Sequence, residues 1–405
     1  MSEPVPEPAQ APMNRSRRID VVDALRGFAL MGILLLHNVE KYNFSTQPDM
    51  PVDFLRNWDA HVWSTLFLLF GGKSYAIFSM LFGFSFWVQY SRMRDKGYDM
   101  GRRFVWRLAI LFGFGLVHST YYSGDLLIFY SSFGLLLVVL RKASDKWCFI
   151  LSLVLLILPR DLYHLVAALL DPGHITPQDN ASWPYWGSLA IAQAGDSFLA
   201  LSRAYLTDGL KANIIWTWEA GRMFHIPGLF LLGMLAARRN AFTQMSSRNW
   251  AAIAAVSLIL FLPLHIMLSD IWSMFEGRES LTMAMYSFFS PMSDLCLTLF
   301  IVAVFILLWR ARIGERLFSV LIPYGRMSLT NYVTQGLTGV ILYNGCCLGL
   351  FHYFGHTMSL LTGFGVLAVQ VAFSHWCLRR FGQGPLEKLW RKLMWLGYDK
   401  TKTRV

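Results

Sequence analysis

Apolar stretches long enough to cross a bilayer recur along almost the whole chain, and they constrain the fold before anything else does. Lipid offers a backbone no hydrogen-bond partner, so a spanning segment must satisfy its own amides, and about 20 apolar residues coiled as a helix do that. Such stretches fall at residues 22–40, 62–91, 104–121, 126–140, 147–170, 212–237, 249–269, 284–309, 328–351 and 358–378. The second is long and carries Gly71 and Gly72 near its start, which predicts a broken helix or an interfacial piece followed by a span. The expected fold is all-α, a polytopic transmembrane helical bundle of about ten spans.

Composition agrees with lipid as solvent: 55% of residues are hydrophobic and 15% charged, against about 25% charged in ordinary soluble domains. A net charge of +11 would suit nucleic acid, but Lys and Arg lie between the apolar runs and form no basic stripe, so nucleic acid is not an expected partner. When sides are alternated from a cytoplasmic N terminus, Lys and Arg concentrate on that side and are several-fold scarcer on the other, as the positive-inside rule requires. Both termini are therefore expected in the cytoplasm. Residues 1–20, with Arg15, Arg17 and Arg18, form a flexible tail in this reading, 21–380 a single transmembrane domain, and 381–405 a basic cytoplasmic segment. The first apolar run lacks a small-residue cleavage site and reads as a span, not a signal peptide. On the far side, residues 41–60 and 171–211 carry Asp49, Asp53, Asp59, Asp171, Asp179, Asp196 and Asp208, and Asp171–Tyr185 has the Pro and Gly content of a rim over a cavity. Cys148, Cys296, Cys346, Cys347 and Cys377 have no metal-ligand spacing and read as buried thiols.

Polar groups inside spans are costly, so they mark a shared interior and candidate function. Asp23 and Arg26 lie three apart on one helix face and can pair. Arg26 either snorkels to the cytoplasmic surface or binds an anion at a cavity mouth. His37 and Asn38 follow near the other end of the same helix, in a different layer. His118 and Asp125 flank a short turn at the far face; the pair serves either as a structural tie or as an oriented general base. In Gly325–Gln335, Ser328, Asn331 and Gln335 recur at i, i+3 and i+7, and Ser328, Tyr332 and Gln335 give an overlapping stripe, so the helix has a polar side, for interhelical bonding or for a substrate channel. His61, Lys73, Arg107 and Asp294 are scattered, while Glu219, Arg222 and His225 recur every three residues and predict one ionic stripe. No metal motif, phosphate-binding glycine loop or Gly-x-Ser-x-Gly elbow accompanies them.

Five ordered motifs resemble YeiB-like bacterial inner-membrane proteins, the "domain of unknown function 418" family, over about residues 18–395. They are Arg26–Leu35 (RGFALMGILL), Lys73 with Phe78–Gly83, His118 with Gly124–Leu127 and Tyr130, Gly325–Gln335, and Gly384–Arg391 (GPLEKLWR). That family is in turn remotely similar to transmembrane acyltransferases of the heparan-glucosaminide N-acetyltransferase type, through Asp23-x-x-Arg26-Gly27 and Asn38. The resemblance implies a multi-pass protein of the bacterial inner membrane that moves an acyl group from cytosolic acyl-CoA, a co-substrate and not a tightly bound cofactor, to an envelope glycan or lipid acceptor. It implies His61, by its place after Asn38, or His37, as in the sugar O-acyltransferases, as the base beside the His118–Asp125 candidate. Arg26, Asn38, Lys73, Arg326, Asn331 and Gln335 are the binding candidates. Membrane lipids and a second copy of the chain are the expected partners. A transporter or transport-associated subunit, with the same groups lining a polar path, is the alternative, and a structural scaffold the third reading.

Overall fold

The computed structural model describes residues 19–44, 53–97, 101–178 and 180–396, without the side chains of 53–56. The Arg15, Arg17 and Arg18 cluster, Asp49, Asp179 and the side chain of Asp53 lie outside the described residues. Every regular element among those described is a helix. In chain order they are α1 (Asp20–Val39), α2 (Asp53–Phe70), α3 (Lys73–Arg94), α4 (Gly101–His118), α5 (Leu127–Val139), α6 (Asp145–Leu156) and α7 (Pro159–Leu170). Then follow α8 (Trp183–Ala194), α9 (Phe198–Ala204), α10 (Leu210–Glu219), α11 (Arg222–Arg238), α12 (Ala241–Gln244) and α13 (Ser247–Met274). The chain closes with α14 (Glu279–Arg310), α15 (Ile313–Phe318), α16 (Leu321–Arg326), α17 (Ser328–Tyr343), α18 (His356–Phe381) and α19 (Pro385–Met394).

A helix or a bent helix pair occupies each of the ten expected stretches, but they are unequal. Four are long and apolar enough to cross a membrane: Asn57–Arg94, α13, α14 and α18. The count rises to six if two bent pairs each make one span, α6 with α7 at 52° and Phe198–Glu219 with α11 at 70°. α5 has only 13 residues and α17 only 16, about 20 and 24 Å of helix against a hydrocarbon core near 30 Å. The Gly71-Gly72 break ends α2 and starts α3 without splitting the 38-residue unit. Lipid exposure shows in α13, where 17% of the apolar window is buried and Val256, Ile259, Leu260 and Ile266 face outward. An apolar face of that length suits hydrocarbon and would be costly in water. The protein is a helical membrane protein.

α1, α3 and α11 hold the centre. Leu25, Ala29, Ile77, Leu81 and Leu229 pack with Val302 and Ile306 of α14 in one cluster, and Phe86, Tyr130, Phe230 and Met234 tie α3, α5 and α11 in another. α1 and α16 cross so closely that a Cβ on Gly325 would strike the Asp23 carbonyl. That contact sets Arg326 against the start of α1. At its other end α1 stops in an unusual way: Lys41, Tyr42 and Asn43 all have left-handed φ (49°, 58° and 69°). Each costs roughly 1 kcal/mol for a residue with a Cβ, and the turn is held by Tyr42 N–H on the His37 carbonyl at 2.7 Å.

Two expectations are corrected. Glu219, Arg222 and His225 do not form one stripe, because Gly221, at φ 63°, breaks the helix between α10 and α11. Glu219 turns away to accept from Ser182 N–H (3.1 Å) and Oγ (2.6 Å), while Arg222 and His225 stay on one face of α11. Nor are all five thiols buried: Cys148 and Cys377 are, Cys296 and Cys346 are half-buried, and Cys347 is exposed.

Candidate functional site

One face of α1 organises the polar interior. Ile19, Asp23, Arg26, Ile33, His37 and Glu40 recur at spacings of three, four or seven, so they fall on a single helical stripe. The first four line a cavity of about 510 Å³, together with residues of α3, α4, α5, α17 and α19. His37 is one turn beyond Ile33, past the cavity's inner end.

The cavity's outer half is rich in arginine. Arg26 donates to Asp23 (2.9 Å) and to Ser85 Oγ (2.8 Å). Arg326 donates to the other Asp23 oxygen (3.0 Å) and to Asp20 (2.8 Å). Two guanidinium groups are thus matched by two carboxylates and form a stable wall. Arg107 differs. Its guanidinium lies 4.1 Å from the Trp390 ring, and among the described residues it has no carboxylate partner. Packing on an aromatic face leaves its in-plane N–H donors available. Arg391 adds a further, exposed charge at the rim. α19 is fixed as part of this wall because Glu387 accepts from Leu329 N–H (2.8 Å), Thr330 N–H (3.0 Å) and Thr330 Oγ1 (2.6 Å), which caps α17.

The inner half is apolar. Ile33, Phe78, Phe82, Leu111, Leu126 and Leu127 surround it, and Tyr130 and Tyr332 close it. Both tyrosines are spoken for. Tyr130 shares a 2.6 Å hydrogen bond with Ser79 Oγ and donates to the Tyr75 carbonyl, and Tyr332 OH accepts from Leu126 N–H at 3.0 Å.

Beyond this septum lies a second layer. His118 Nδ1 meets Asp125 at 2.7 Å, both fully buried, and the other Asp125 oxygen accepts Ile128 N–H. Tyr121, Tyr122 and Tyr332 ring the imidazole at centroid distances of 5.1–5.3 Å. Its Nε2 has no partner and faces Gly336, where even a Cβ would not fit. His37 is half-buried and bonds through Nε2 to Tyr122 OH at 2.9 Å. Asn38 is fully buried; its Nδ2 donates to the Leu34 carbonyl, and its Oδ1 accepts Tyr343 OH at 3.2 Å.

The remaining candidates go elsewhere. Lys73 is buried against Asp294 at 2.5 Å, on the far-side half of α3. Asn331 and Gln335 are buried and face α16 and α18: Asn331 donates to the Tyr324 carbonyl and Ser374, Gln335 to Tyr324 OH. They serve as interhelical ties and line no part of the cavity. His61 is exposed on α2 and lines no part of the cavity. Sequence reasoning had not singled out Tyr122 or Glu40; Arg107 stood among its scattered charges and Tyr332 on the polar stripe of α17, but neither was assigned to the cavity. The α1 stripe, visible as a spacing, was the signal for Glu40. Nothing in the sequence marked Tyr122.

Fold and site together define a helical membrane protein in which an arginine-rimmed cavity leads to a buried layer of histidine and tyrosine. Residues 18–193, which hold Arg26, His37, Arg107, His118 and Asp125, match the family model described as heparan-alpha-glucosaminide N-acetyltransferase, catalytic. Residues 236–397 match the model described as protein of unknown function (DUF418). The chain is 27% identical to uncharacterized protein YxaH of Bacillus subtilis (strain 168), over 97% of this chain and 99% of that protein. It is 25% identical to uncharacterized protein YeiB of Escherichia coli (strain K12), over 92% and 95%. The expected likeness to YeiB-like proteins holds over nearly the whole chain, and that to the acetyltransferase group over its first half.

Proposed function

We propose that the protein is a membrane acyltransferase that takes an acyl group from acyl-CoA on the cytoplasmic side and passes it to a hydroxyl or amine on the other. The observation that carries this reading is the single face of α1, which lines the arginine-rimmed cavity through Asp23, Arg26 and Ile33 and reaches His37 one turn later. Arg107 and Arg391 would hold the phosphates of CoA, since they have donors to spare and the Arg26–Asp23–Arg326 set does not. The apolar shaft to Tyr130 and Tyr332 would take the thioester end and keep water from it.

His37 is the base in this reading. With Nε2–H donating to Tyr122, Nδ1 keeps its lone pair and removes the acceptor's proton as the acceptor oxygen or nitrogen attacks the thioester carbonyl. The C–S bond breaks, and the proton leaves with the CoA thiol. His118 has the oriented tautomer of a base but no room at Nε2. It acts as the anchor of the tyrosine cage around His37. The membrane setting is proposed as the bacterial inner membrane, crossed about ten times with both termini cytoplasmic.

Purified protein in detergent, given acetyl-CoA and longer acyl-CoA, should bind one of them and release free CoA, and His37→Ala should lose the release. No acyl-CoA binding and no CoA release from the wild type would overturn the proposal. Substrate flux in proteoliposomes without CoA release would assign the same groups to a carrier.

A further inference from the structure

On the far side of the septum, Arg222 is an arginine without a counterion in contact. Its guanidinium lies 4.2 Å from the Tyr75 ring and 4.0 Å from the Trp216 ring, and among the described residues it makes no ion pair or hydrogen bond. His37, Glu40 and Asp294 are all near enough to feel its charge. Asp294 is already held by Lys73. Glu40 has no ion-pair partner among the described residues. His37, Glu40, Tyr75, Trp216, Arg222 and Asp294 are all partly exposed although they converge from α1, α3, α10, α11 and α14. Asp294 keeps 32% of its side-chain surface exposed in the middle of the 32-residue α14. Tyr75, Trp216 and Arg222 thus pack together from α3, α10 and α11, and all three keep part of their surface exposed.

We propose that Arg222, held between these two rings with its donors unused, binds an anionic group, a phosphate or carboxylate. Two further features bear on it. Arg222 is the first residue of α11, whose start Gly221 leaves uncapped by any side chain. One turn on, His225 Nδ1 bonds Tyr75 OH at 2.6 Å and so fixes one of the two rings that carry the guanidinium. A ligand whose anion sits on Arg222 turns its neighbouring hydroxyl or amine toward Glu40 and His37. The inference rests on the acyl-transfer reading only in calling that ligand the acceptor.

Trp216 reports on the site. Purified protein in uncharged detergent is titrated with inorganic phosphate, and protein in phosphatidylcholine nanodiscs is compared with and without phosphatidylglycerol, all without acyl-CoA. The signal is the fluorescence change that Trp216→Phe removes. A saturable change is expected in the wild type. Arg222→Lys, which keeps the charge but loses the fork of donors, should weaken it about tenfold, and Arg222→Gln about 10- to 100-fold. Response to phosphate in detergent would identify a soluble anion, and response only to phosphatidylglycerol a lipid headgroup. No saturable change in the wild type with either anion overturns the inference, as does a folded Arg222→Lys or Arg222→Gln protein that titrates like the wild type. Because acyl-CoA is absent throughout, this result and the fate of the acyl-CoA cavity are separate.

Discussion

At the N-terminal end of the α1 face, Arg26 and Arg326 are held by Asp20 and Asp23 at 2.8–3.0 Å around a cavity of about 510 Å³. At its far end, His37 bonds a tyrosine hydroxyl, and Arg222 is packed on aromatic rings. The first region spends its carboxylates on making a wall. The second pairs His118 with Asp125 and Lys73 with Asp294 but leaves His37 and Arg222 without an ion pair among the described residues. Each end nonetheless sets one arginine apart on a tryptophan, Arg107 on Trp390 and Arg222 on Trp216. Paired charges build the protein, and the unpaired ones are those that the proposed function gives to a ligand.

The sharpest way to break this contrast is at His37. General-base assistance supplies about 10²–10⁴ in rate, so His37→Ala should lower CoA release from acyl-CoA by that factor with little change in acyl-CoA binding. His118→Ala should act first on stability, because it strands the fully buried Asp125. Full-rate turnover in His37→Ala, with loss in a well-folded His118→Ala, would reverse the roles of the two histidines.

Lys73 and Asp294 test whether pairing at membrane depth is structural. Lys73→Met leaves Asp294 without its partner and should cost about 3–5 kcal/mol, as broken buried pairs do. Adding Asp294→Asn should recover much of that loss in thermal unfolding. The informative failure is a small cost in Lys73→Met, because Arg222 is near enough to Asp294 to take over. That outcome would show the far-side arginine to be less independent than its aromatic packing implies.

Arg107 separates binding from building at the N-terminal end of that face. Hydrogen bonds to charged groups are worth about 1.5–3 kcal/mol, so Arg107→Ala should weaken acyl-CoA binding about 10- to 100-fold by direct titration. Arg326→Ala should weaken folding more than binding, since its donors already belong to Asp20 and Asp23. Equal binding losses in both variants would erase the distinction between wall and anchor.

Much of this was legible as spacing. The Asp23–Arg26 pair lies at i,i+3, and the short turn after α4 left His118 and Asp125 little choice but to meet. The run of apolar stretches placed every long helix, because lipid permits few alternatives. What sequence did not reveal depends on long-range contacts. Glu219 looked like the start of a charged stripe until Gly221 turned the chain, and Asn331 and Gln335 resembled a channel lining though Tyr324 consumes their donors. Arg107 could not be told from a snorkelling arginine, because Trp390 reaches it from almost the other end of the chain.

That long-range closure gives the smallest expected effect and the most local one. Glu387 caps α17 with both oxygens and so presses Trp390, Arg391 and Met394 of α19 into the cavity wall. In Glu387→Gln one oxygen can still accept from Leu329 and Thr330, but the charge at the helix start is gone, and the amide must turn Thr330 Oγ1 from donor to acceptor. The expected loss is about 1 kcal/mol, the usual worth of a cap. Hydrogen exchange over residues 385–394 should quicken by about fivefold, as 1 kcal/mol implies, while acyl-CoA affinity falls by less than in Arg107→Ala. Unchanged exchange would mean that Arg103, Trp106 and Trp390, which donate to the Met394, Leu393 and Arg107 carbonyls, hold α19 without the cap. The cavity wall would then belong to α4, and the capping of α17 would be a separate matter.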